Sequence, residues 1–321
     1  MNVFFNQNFW YRGKSGEEAG KFRKLQAQFR YAGFEWRVPG AYCFEKGFAL
    51  DLCRHIPREV LQHFFKEWQE YTEQEEKLTP SQARRIGREN PQNFWVSPEV
   101  TLGDSRACSL NGCSLCWQPC LPEFNTPEAE EPVTEYALDR TDGWEIYRFN
   151  FRWPENCPHA LEKPCLRLCA QPVSLACNVR FSLQVDGAPF SVPFRHPRNG
   201  EPYSIEITGC KEQRISPPRN LNEKYRWPEY ACVLEYRVNP ILPDGEQLSL
   251  RDCAENDPPV YTDGVKLDGP TALICSRPES DTVMMSSAWG AISALHFAPV
   301  ALVEWEAELQ TVPFAPEFFP L

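Results

Sequence analysis

Residues 179–208, VRFSLQVDGAPFSVPFRHPRNGEPYSIEIT, carry the pattern that decides the fold. Apolar and polar residues alternate in three runs, and the dipeptides Asp186-Gly187 and Asn199-Gly200 separate each run from the next. Alternation with a period of two is typical of strands with one buried face, and Asp-Gly and Asn-Gly favour the tight turns of hairpins. The stretch therefore predicts a three-stranded antiparallel meander.

Further runs in the chain fit strands. In the C-terminal half they cover residues 147–153, 232–238, 271–275 and 303–309. In the N-terminal half, residues 41–53 predict a hairpin around Lys46-Gly47. We therefore predict an α+β fold that is mainly β, with an antiparallel β-sandwich or barrel in the C-terminal half and a smaller N-terminal sheet that carries one amphipathic helix.

Two segments predict helices. Residues 57–72 begin with Pro57 at a first helical position, and apolar residues then recur at spacings of three and four. The residues of this stripe are Val60, Leu61, Phe64, Trp68 and Tyr71. Residues 79–89 begin with a capping box formed by Thr79 and Gln82.

The segment 121–135 is rich in proline and glutamate, a composition that buries little apolar surface. It is interpreted as an acidic linker between a β-rich region at 1–120 and a sandwich at 136–321. The alternative is that it forms a long loop inside one continuous sandwich.

The net charge of the chain is −11, with 44 acidic against 33 basic residues. Such a charge repels phosphate backbones, so we expect neither nucleic-acid binding nor binding to anionic membranes. The basic residues between positions 12 and 37 are interpreted as a solvated face. No secretory signal and no apolar membrane span occur, and we expect a cytoplasmic protein with mostly reduced thiols.

Four of the 14 cysteines fall within residues 108–120, CSLNGCSLCWQPC. Cys108, Cys113 and Cys116 match the near part of an iron–sulfur loop, and Cys113 and Cys116 form one zinc-type knuckle. Cys120 completes a set of four candidate ligands for zinc or an iron–sulfur cluster. The spacing matches each pattern only in part, so the favoured interpretation is packed thiols without a cofactor, and a redox pair is a further alternative.

The loop 252–268 gathers five carboxylates, those of Asp252, Glu255, Asp257, Asp263 and Asp268. Their oxygens could bind a hard cation. Paired carboxylates could act as the acid and base of a hydrolase, although a solvated loop is the favoured interpretation. No HExxH, G-x-S-x-G, G-x-G-x-x-G or Walker A motif is present, so no catalytic residue is assigned.

Three stretches are similar to a group of soluble proteins from anaerobic bacteria. They are SALHFAPVALVEWE from Ser293, LDGPTALI from Leu267 and GCSLCWQPCL from Gly112. The resemblance implies a bacterial source, and it implies no activity.

These observations favour a non-enzymatic intracellular protein that binds or assembles with an unknown protein or small-molecule ligand. One alternative is a metal or iron–sulfur protein that uses the cysteines at 108–120. A third hypothesis is a hydrolase that uses the acidic loop 252–268.

Overall fold

The computed structural model describes residues 1–73, 78–155, 159–215, 225–261 and 289–321, and the predicted strand at 271–275 lies outside them. Within these ranges the strands are β1 (Lys21–Tyr31), β2 (Phe34–Cys43), β3 (Gly47–Ile56), β4 (Val96–Leu102), β5 (Ser105–Trp117), β6 (Gly143–Arg152), β7 (Cys165–Ala170), β8 (Val173–Gln184), β9 (Phe190–Arg195), β10 (Pro202–Arg214), β11 (Tyr225–Arg226), β12 (Tyr230–Asn239), β13 (Gln247–Asp252), β14 (Val260–Tyr261), β15 (Trp289–Ile292), β16 (Leu302–Thr311) and β17 (Glu317–Pro320). The helices are α1 (Arg58–Glu73), α2 (Pro80–Glu89) and α3 (Pro127–Glu135), with a short 3-10 helix at Pro122–Phe124. Within the same ranges, no helix combines the length and apolarity needed to cross a membrane.

The chain forms two compact units. The first contains Met1–Glu76, Glu89–Pro172 and Val312–Leu321, and the second contains Lys77–Arg88 and Val173–Thr311. The chain therefore passes between the units more than once, and each unit is built from segments that are distant in sequence.

In the first unit, eight strands form one antiparallel sheet in the order β1-β2-β3-β6-β5-β4-β7-β17. The sheet curls until its edge strands meet, and the rings of Phe29 on β1 and Phe319 on β17 stack with their centroids 3.9 Å apart. Apolar side chains fill the interior of this nearly closed sheet, among them Trp36, Leu50 and Phe149. Burial of each such side chain contributes about 1.5–3 kcal/mol, so this interior is the main source of the unit's stability.

The hairpin predicted at residues 41–53 is confirmed, because β2 and β3 pair with Cys43 opposite Phe48. The N-terminal sheet is larger than predicted, since β6, β7 and β17 from later in the chain complete it. Period-two alternation identifies a strand but does not indicate which sheet the strand joins.

β6 is buried on both faces. Its alternation predicts one wet face, but Arg148 and Asn150 on that face are only 2% and 1% exposed. The N-terminal segment covers them: Asn150 accepts a hydrogen bond from the backbone N–H of Asn6, and the Arg148 guanidinium lies 4.2 Å from the centroid of the Phe9 ring. The outer face of the sheet is therefore a second, partly polar core.

Residues 121–135, predicted as a linker or loop, lie inside the first unit and contain α3. Ala129 and Val133 of this helix are buried together with Leu115 and Trp144 on the outer face of the sheet. Pro127 stands at the first helical position, where the missing N–H costs no hydrogen bond. Glutamates in the first turn are favoured by the helix dipole, so the acidic, proline-rich composition marks a helix start.

The two predicted helices are confirmed. α1 and α2 begin and end within one residue of the predicted bounds. Leu61, Phe64 and Trp68 of the predicted apolar stripe are buried on α1.

The second unit contains a sandwich of two antiparallel sheets, with the orders β15-β12-β10-β9 and β13-β16-β8, and a separate two-stranded sheet of β11 and β14. The apolar faces of both sheets share one core, to which Tyr236 of β12 and Trp305 of β16 contribute. The predicted fold class, mainly β with an antiparallel sandwich in the C-terminal half, is confirmed.

The predicted meander at 179–208 is correct only in its second half. β9 and β10 form the expected hairpin, with Arg195 opposite Pro202, but β8 pairs with β16 in the other sheet. Asp186 has a left-handed φ of 57°, and its N–H donates to the carbonyl of Cys210 on β10. The Asp-Gly turn thus carries the chain from one sheet to the other. The predicted hairpin is wrong here because turns between sheets and hairpin turns use the same residues.

No residue of α2 is buried, so an apolar face does not hold this helix on the protein. Charged and polar groups bind it to β16 instead. Arg84 lies 3.0 Å from Glu306 Oε2, and the Ser81 hydroxyl donates to the same oxygen at 2.7 Å. Arg88 pairs with Glu308, whose side chain is 5% exposed. Burial raises the pKa of Glu306, but the hydrogen bonds from Ser81 and Arg84 and the nearby positive charges outweigh it and hold the pKa below its ordinary value.

The substitution Glu306→Gln is expected to lower the free energy of unfolding at pH 7 by about 1–2 kcal/mol, because it removes charge-assisted hydrogen bonds. A carboxylate with a lowered folded pKa stabilises the protein above its unfolded pKa and loses that contribution as the pH falls through the folded value. The difference between wild type and variant should therefore shrink below the ordinary glutamate pKa of 4.5. Urea unfolding between pH 3 and 7, about the range over which carboxylates titrate, measures this difference.

The matched control is Glu304→Gln, on the same strand, where the side chain is 48% exposed and lies 3.8 Å from Arg180. We expect a change of less than about 0.5 kcal/mol for this control. Equal effects of the two substitutions at every pH would show that α2 does not depend on the Glu306 carboxylate.

Candidate functional site

The outer face of the sheet in the first unit carries a cleft of about 260 Å³. One wall consists of β1 and β2, and the other is the chain from Glu135 to Leu138 that leaves α3. Gln28 of β1 and Arg37 of β2 are directly opposite in the strand register, and both line the cleft.

Irregular backbone shapes both walls. Regular pairing of β1 with β2 is interrupted between Lys24 and Ala27, and Gln26 within this bulge has a left-handed φ of 57°. Ala137 on the opposite wall has a φ of 49°. Such conformations are unfavourable for residues with a Cβ, and they and β-bulges concentrate at functional sites.

Two cations line the cleft without an ion-pair partner. Among the described residues, neither the Lys24 ammonium nor the Arg37 guanidinium forms a hydrogen bond or ion pair. The Arg37 guanidinium lies 4.9 Å from the centroid of the Trp144 ring, a cation–π contact that restrains it. The lining carboxylate, that of Glu135, already accepts a hydrogen bond from the amino group of Met1 at 3.3 Å.

Two carboxylates lie in the wider neighbourhood of Arg37, and each has a partner of its own. Glu35 accepts a hydrogen bond from Arg30 at 2.7 Å, which is the main reason that its pKa is lowered. Asp139 accepts a hydrogen bond from the backbone N–H of Thr141, again the main reason for its lowered pKa. Arg37 adds only its charge to both shifts, so its donors stay free.

Tyr136 joins the cleft to a buried polar cluster. Its hydroxyl donates to Asp51 Oδ2 at 2.6 Å, and Arg148 donates to both oxygens of Asp51 at 2.8 and 2.7 Å. The hydroxyl oxygens of Tyr136 and Tyr42 are 3.2 Å apart. Asp51 is fully buried, and a buried charge requires such pairing.

Burial and the charge of Asp51 together determine the protonation of this cluster. Burial, reinforced by the charge of Asp51, raises the pKa of Tyr136 well above its ordinary value, and burial likewise raises the pKa of Tyr42. Burial alone would lower the pKa of Arg148, but the charge of Asp51 outweighs it and the net shift is upward. The tyrosines are therefore neutral hydrogen-bond donors, and Arg148 stays a cation.

The structure separates the four candidate cysteine ligands. Cys113 and Cys116 are three residues apart on β5 with no register shift between them, so they face opposite sides of the sheet. Cys108 is exposed, and Cys120 lies beyond the end of β5 with its Sγ 4.0 Å from the carbonyl oxygen of Arg58. In the part of the chain that the structure describes, no three His, Cys, Asp or Glu side chains are grouped to hold a metal ion. The zinc or iron–sulfur site at these cysteines stays a prediction.

Asp252 and Asp257 of the loop 252–268 accept hydrogen bonds from backbone groups. Asp252 accepts hydrogen bonds from two backbone N–H groups at 2.8 Å each, and Asp257 accepts one at 2.9 Å. These contacts fix the loop conformation, while Asp263 and Asp268 lie outside the described residues. The hydrolase hypothesis gains no convergent carboxylate pair from the residues that are described.

The residues of the cleft were not singled out by sequence patterns. Lys24 and Arg37 belong to the basic stretch 12–37, which was interpreted as a solvated face. Its concentration of positive charge in an acidic chain is the signal that could have identified them. Tyr136 carries no such signal, because only the packing of α3 brings it to Asp51.

Fold and cleft together define a two-unit, mainly β protein with a basic cleft on the outer face of a nearly closed sheet. The sequence matches no family model, and no curated protein or solved structure matches the chain. The chemistry of the cleft therefore has to be argued from its own residues.

The substitution Tyr136→Phe is expected to lower the free energy of unfolding by about 1.5–3 kcal/mol, because it removes a hydrogen bond to a buried carboxylate. Tyr42→Phe, which removes only a contact between two hydroxyls, should cost about 1 kcal/mol or less. Urea unfolding of both variants and of the double variant measures the coupling between the two hydroxyls. A smaller loss for Tyr136→Phe than for Tyr42→Phe would contradict the assignment of Tyr136 as the donor to Asp51.

Iodoacetamide is expected to modify Cys108 much faster than Cys116 near neutral pH. Cys108 is exposed, whereas burial, reinforced by the charge of Glu145, raises the pKa of Cys116 to about 12 and suppresses its thiolate. Mass mapping of peptides at successive times measures both rates, and an added equivalent of Zn²⁺ should leave them unchanged. Protection of all four cysteines at 108–120 by Zn²⁺ would instead support the metal hypothesis.

Proposed function

We propose that the protein is a non-enzymatic intracellular binding protein whose cleft takes a small organic anion that carries a carboxylate. The observation that carries the proposal is the pair of cations, Lys24 and Arg37, that line the cleft and have no ion-pair partner among the residues that the structure describes. Lys24 is exposed and Arg37 is half-buried, so Arg37 gains more from an opposite charge. The planar arginine fork matches a carboxylate with two parallel hydrogen bonds.

The surroundings of Arg37 support this role. The Trp144 ring restrains the guanidinium, so less side-chain entropy is lost when a ligand binds. Gln26 and Gln28 line the same wall and add neutral amide groups that can bind further polar atoms of the ligand. The aromatic ring of Phe22 supplies an apolar surface beside these groups.

Size and charge favour a small ligand over a polyanion. A volume of about 260 Å³ lies just below the range of about 300–1,000 Å³ that is typical of ligand pockets. The net charge of −11 repels a long phosphate chain, but at physiological salt charges are screened beyond about 8 Å. A small anion inside the cleft therefore interacts mainly with Lys24 and Arg37.

Binding fits the lining better than catalysis does. The described lining residues include no histidine, cysteine or serine, and the carboxylate of Glu135 is held by Met1. An intracellular, reducing location is supported by the thiols, because the 12 described cysteines are all free.

Benzoate is expected to bind the full-length protein with a Kd of about 1 mM or lower, which corresponds to about 4 kcal/mol. The substitution Arg37→Gln should weaken binding about tenfold or more, because the bidentate contact is lost. Lys24→Gln should have a smaller effect, since lysine contributes as a point charge. Titration followed by saturation-transfer NMR measures these affinities, and higher salt should weaken binding.

Two controls make the outcome specific. Benzamide has the same size and shape as benzoate without its charge, and Lys211→Gln removes an exposed cation of the second unit. Equal binding of benzamide and benzoate, or equal losses for Lys211→Gln and Arg37→Gln, would contradict an anion site in the cleft.

A further inference from the structure

Arg54 lies on the interior side of the sheet in the first unit and is completely buried. Its guanidinium carbon is 4.4 Å from the centroid of the Phe34 ring and 5.3 Å from that of Phe94. Glu145, directly opposite on β6 and 3% exposed, forms an ion pair with it. The pair is neutral as a whole, so the site around it has no net charge to attract an ion.

The ion pair uses only part of the donor capacity of Arg54. Nε donates to Glu145 at 3.2 Å, and Nη2 donates to Glu145 and, at 2.8 Å, to the carbonyl oxygen of Pro91. Nη1 carries two further N–H donors and is buried, and no hydrogen bond of ordinary geometry joins it to a described residue. The hydroxyl of Tyr147 lies close to Arg54 and Glu145, and it donates its proton to the carbonyl oxygen of Phe94. An unsatisfied buried donor costs about 1–3 kcal/mol, so a partner for Nη1 is strongly favoured.

Gln92, the residue after Pro91, and its hydrogen-bond partner Gln118 also have unsatisfied atoms. Gln92 follows Pro91 in the chain, is 8% exposed, and accepts a hydrogen bond from Gln118 Nε2 at 2.8 Å. The remaining amide atoms, Gln92 Nε2 and Gln118 Oε1, are buried and have no partner within the described chain. The neighbourhood of Arg54 therefore holds unsatisfied donors on two residues and one unsatisfied acceptor.

We propose that this polar cluster is a binding site for an ordered internal water molecule. A water can accept hydrogen bonds from Arg54 Nη1 and Gln92 Nε2 and donate one to Gln118 Oε1, which gives the three bonds that are usual for buried water. An anion could satisfy the two donors, but it would face the Gln118 oxygen and lie near the carboxylate of Glu145. A cation would be repelled by Arg54. A neutral molecule that both accepts and donates is the chemical match.

A crystal structure of the full-length protein at about 1.5 Å resolution tests the proposal. We expect a density peak within hydrogen-bond distance, about 2.7–3.2 Å, of Arg54 Nη1, Gln92 Nε2 and Gln118 Oε1. The same crystals soaked in sodium bromide should show no anomalous signal at this position. In the variant Gln118→Met the peak should weaken or disappear, because one of its three partners is lost.

Thermal unfolding gives a second measurement in solution. Gln118→Met should lower Tm by about 2–4 °C, whereas Gln213→Met, at an exposed position of the second unit, should leave it unchanged. Two crystallographic outcomes would overturn the proposal. One is an absent peak with the Gln92 and Gln118 amides closing two mutual hydrogen bonds, and the other is a bromide signal, which would assign the site to an anion.

Discussion

The fold of the first unit depends on how β3 and β6 are aligned. Asp51 lies opposite Arg148 on the outer face, and Arg54 lies opposite Glu145 on the inner face. A shift of one residue would turn each side chain to the other face and leave buried charges without partners. Because an unpaired buried charge costs several kcal/mol, the two pairs specify a single register for the centre of the sheet.

The outer ion pair also fixes the geometry of the cleft. Asp51 holds the Tyr136 hydroxyl, and Tyr136 follows directly after α3, so the end of this helix is tied to the central strands. The opposite wall, β1 and β2, is attached to β3 by strand pairing. Both walls are therefore attached to β3, which fixes the backbone of β1 and β2 relative to Tyr136. Less reorganisation of the backbone is then needed when a ligand binds.

Sequence patterns predicted the local structure well and the long-range pairing less well. The hairpin of β2 and β3, the bounds of α1 and α2 and the buried face of β16 follow from periodicity and turn residues, which act over a few positions. The partner of β8 and the central place of β6 depend on contacts between distant segments. Arg148 is the clearest case, because its charge predicts exposure to solvent. Its burial is favourable only because Phe9 covers it and Asp51 pairs with it. The cleft could not be predicted for the same reason, because its residues Lys24, Arg37 and Tyr136 come from three separate segments of the chain.

The contrast between an acidic protein and a basic cleft has a simple physical basis. Long-range repulsion from a charge of −11 is screened over about 8 Å at physiological salt, whereas a carboxylate in contact with Arg37 interacts over about 3 Å. Repulsion acts on a polyanion along its whole length, because the chain as a whole carries a net charge of −11. A small anion of the kind proposed for the cleft meets this net repulsion only during approach, so the net charge would favour small ligands over polyanions. Selectivity of this kind needs no further contact in the cleft, since it arises from the difference in range between the two interactions.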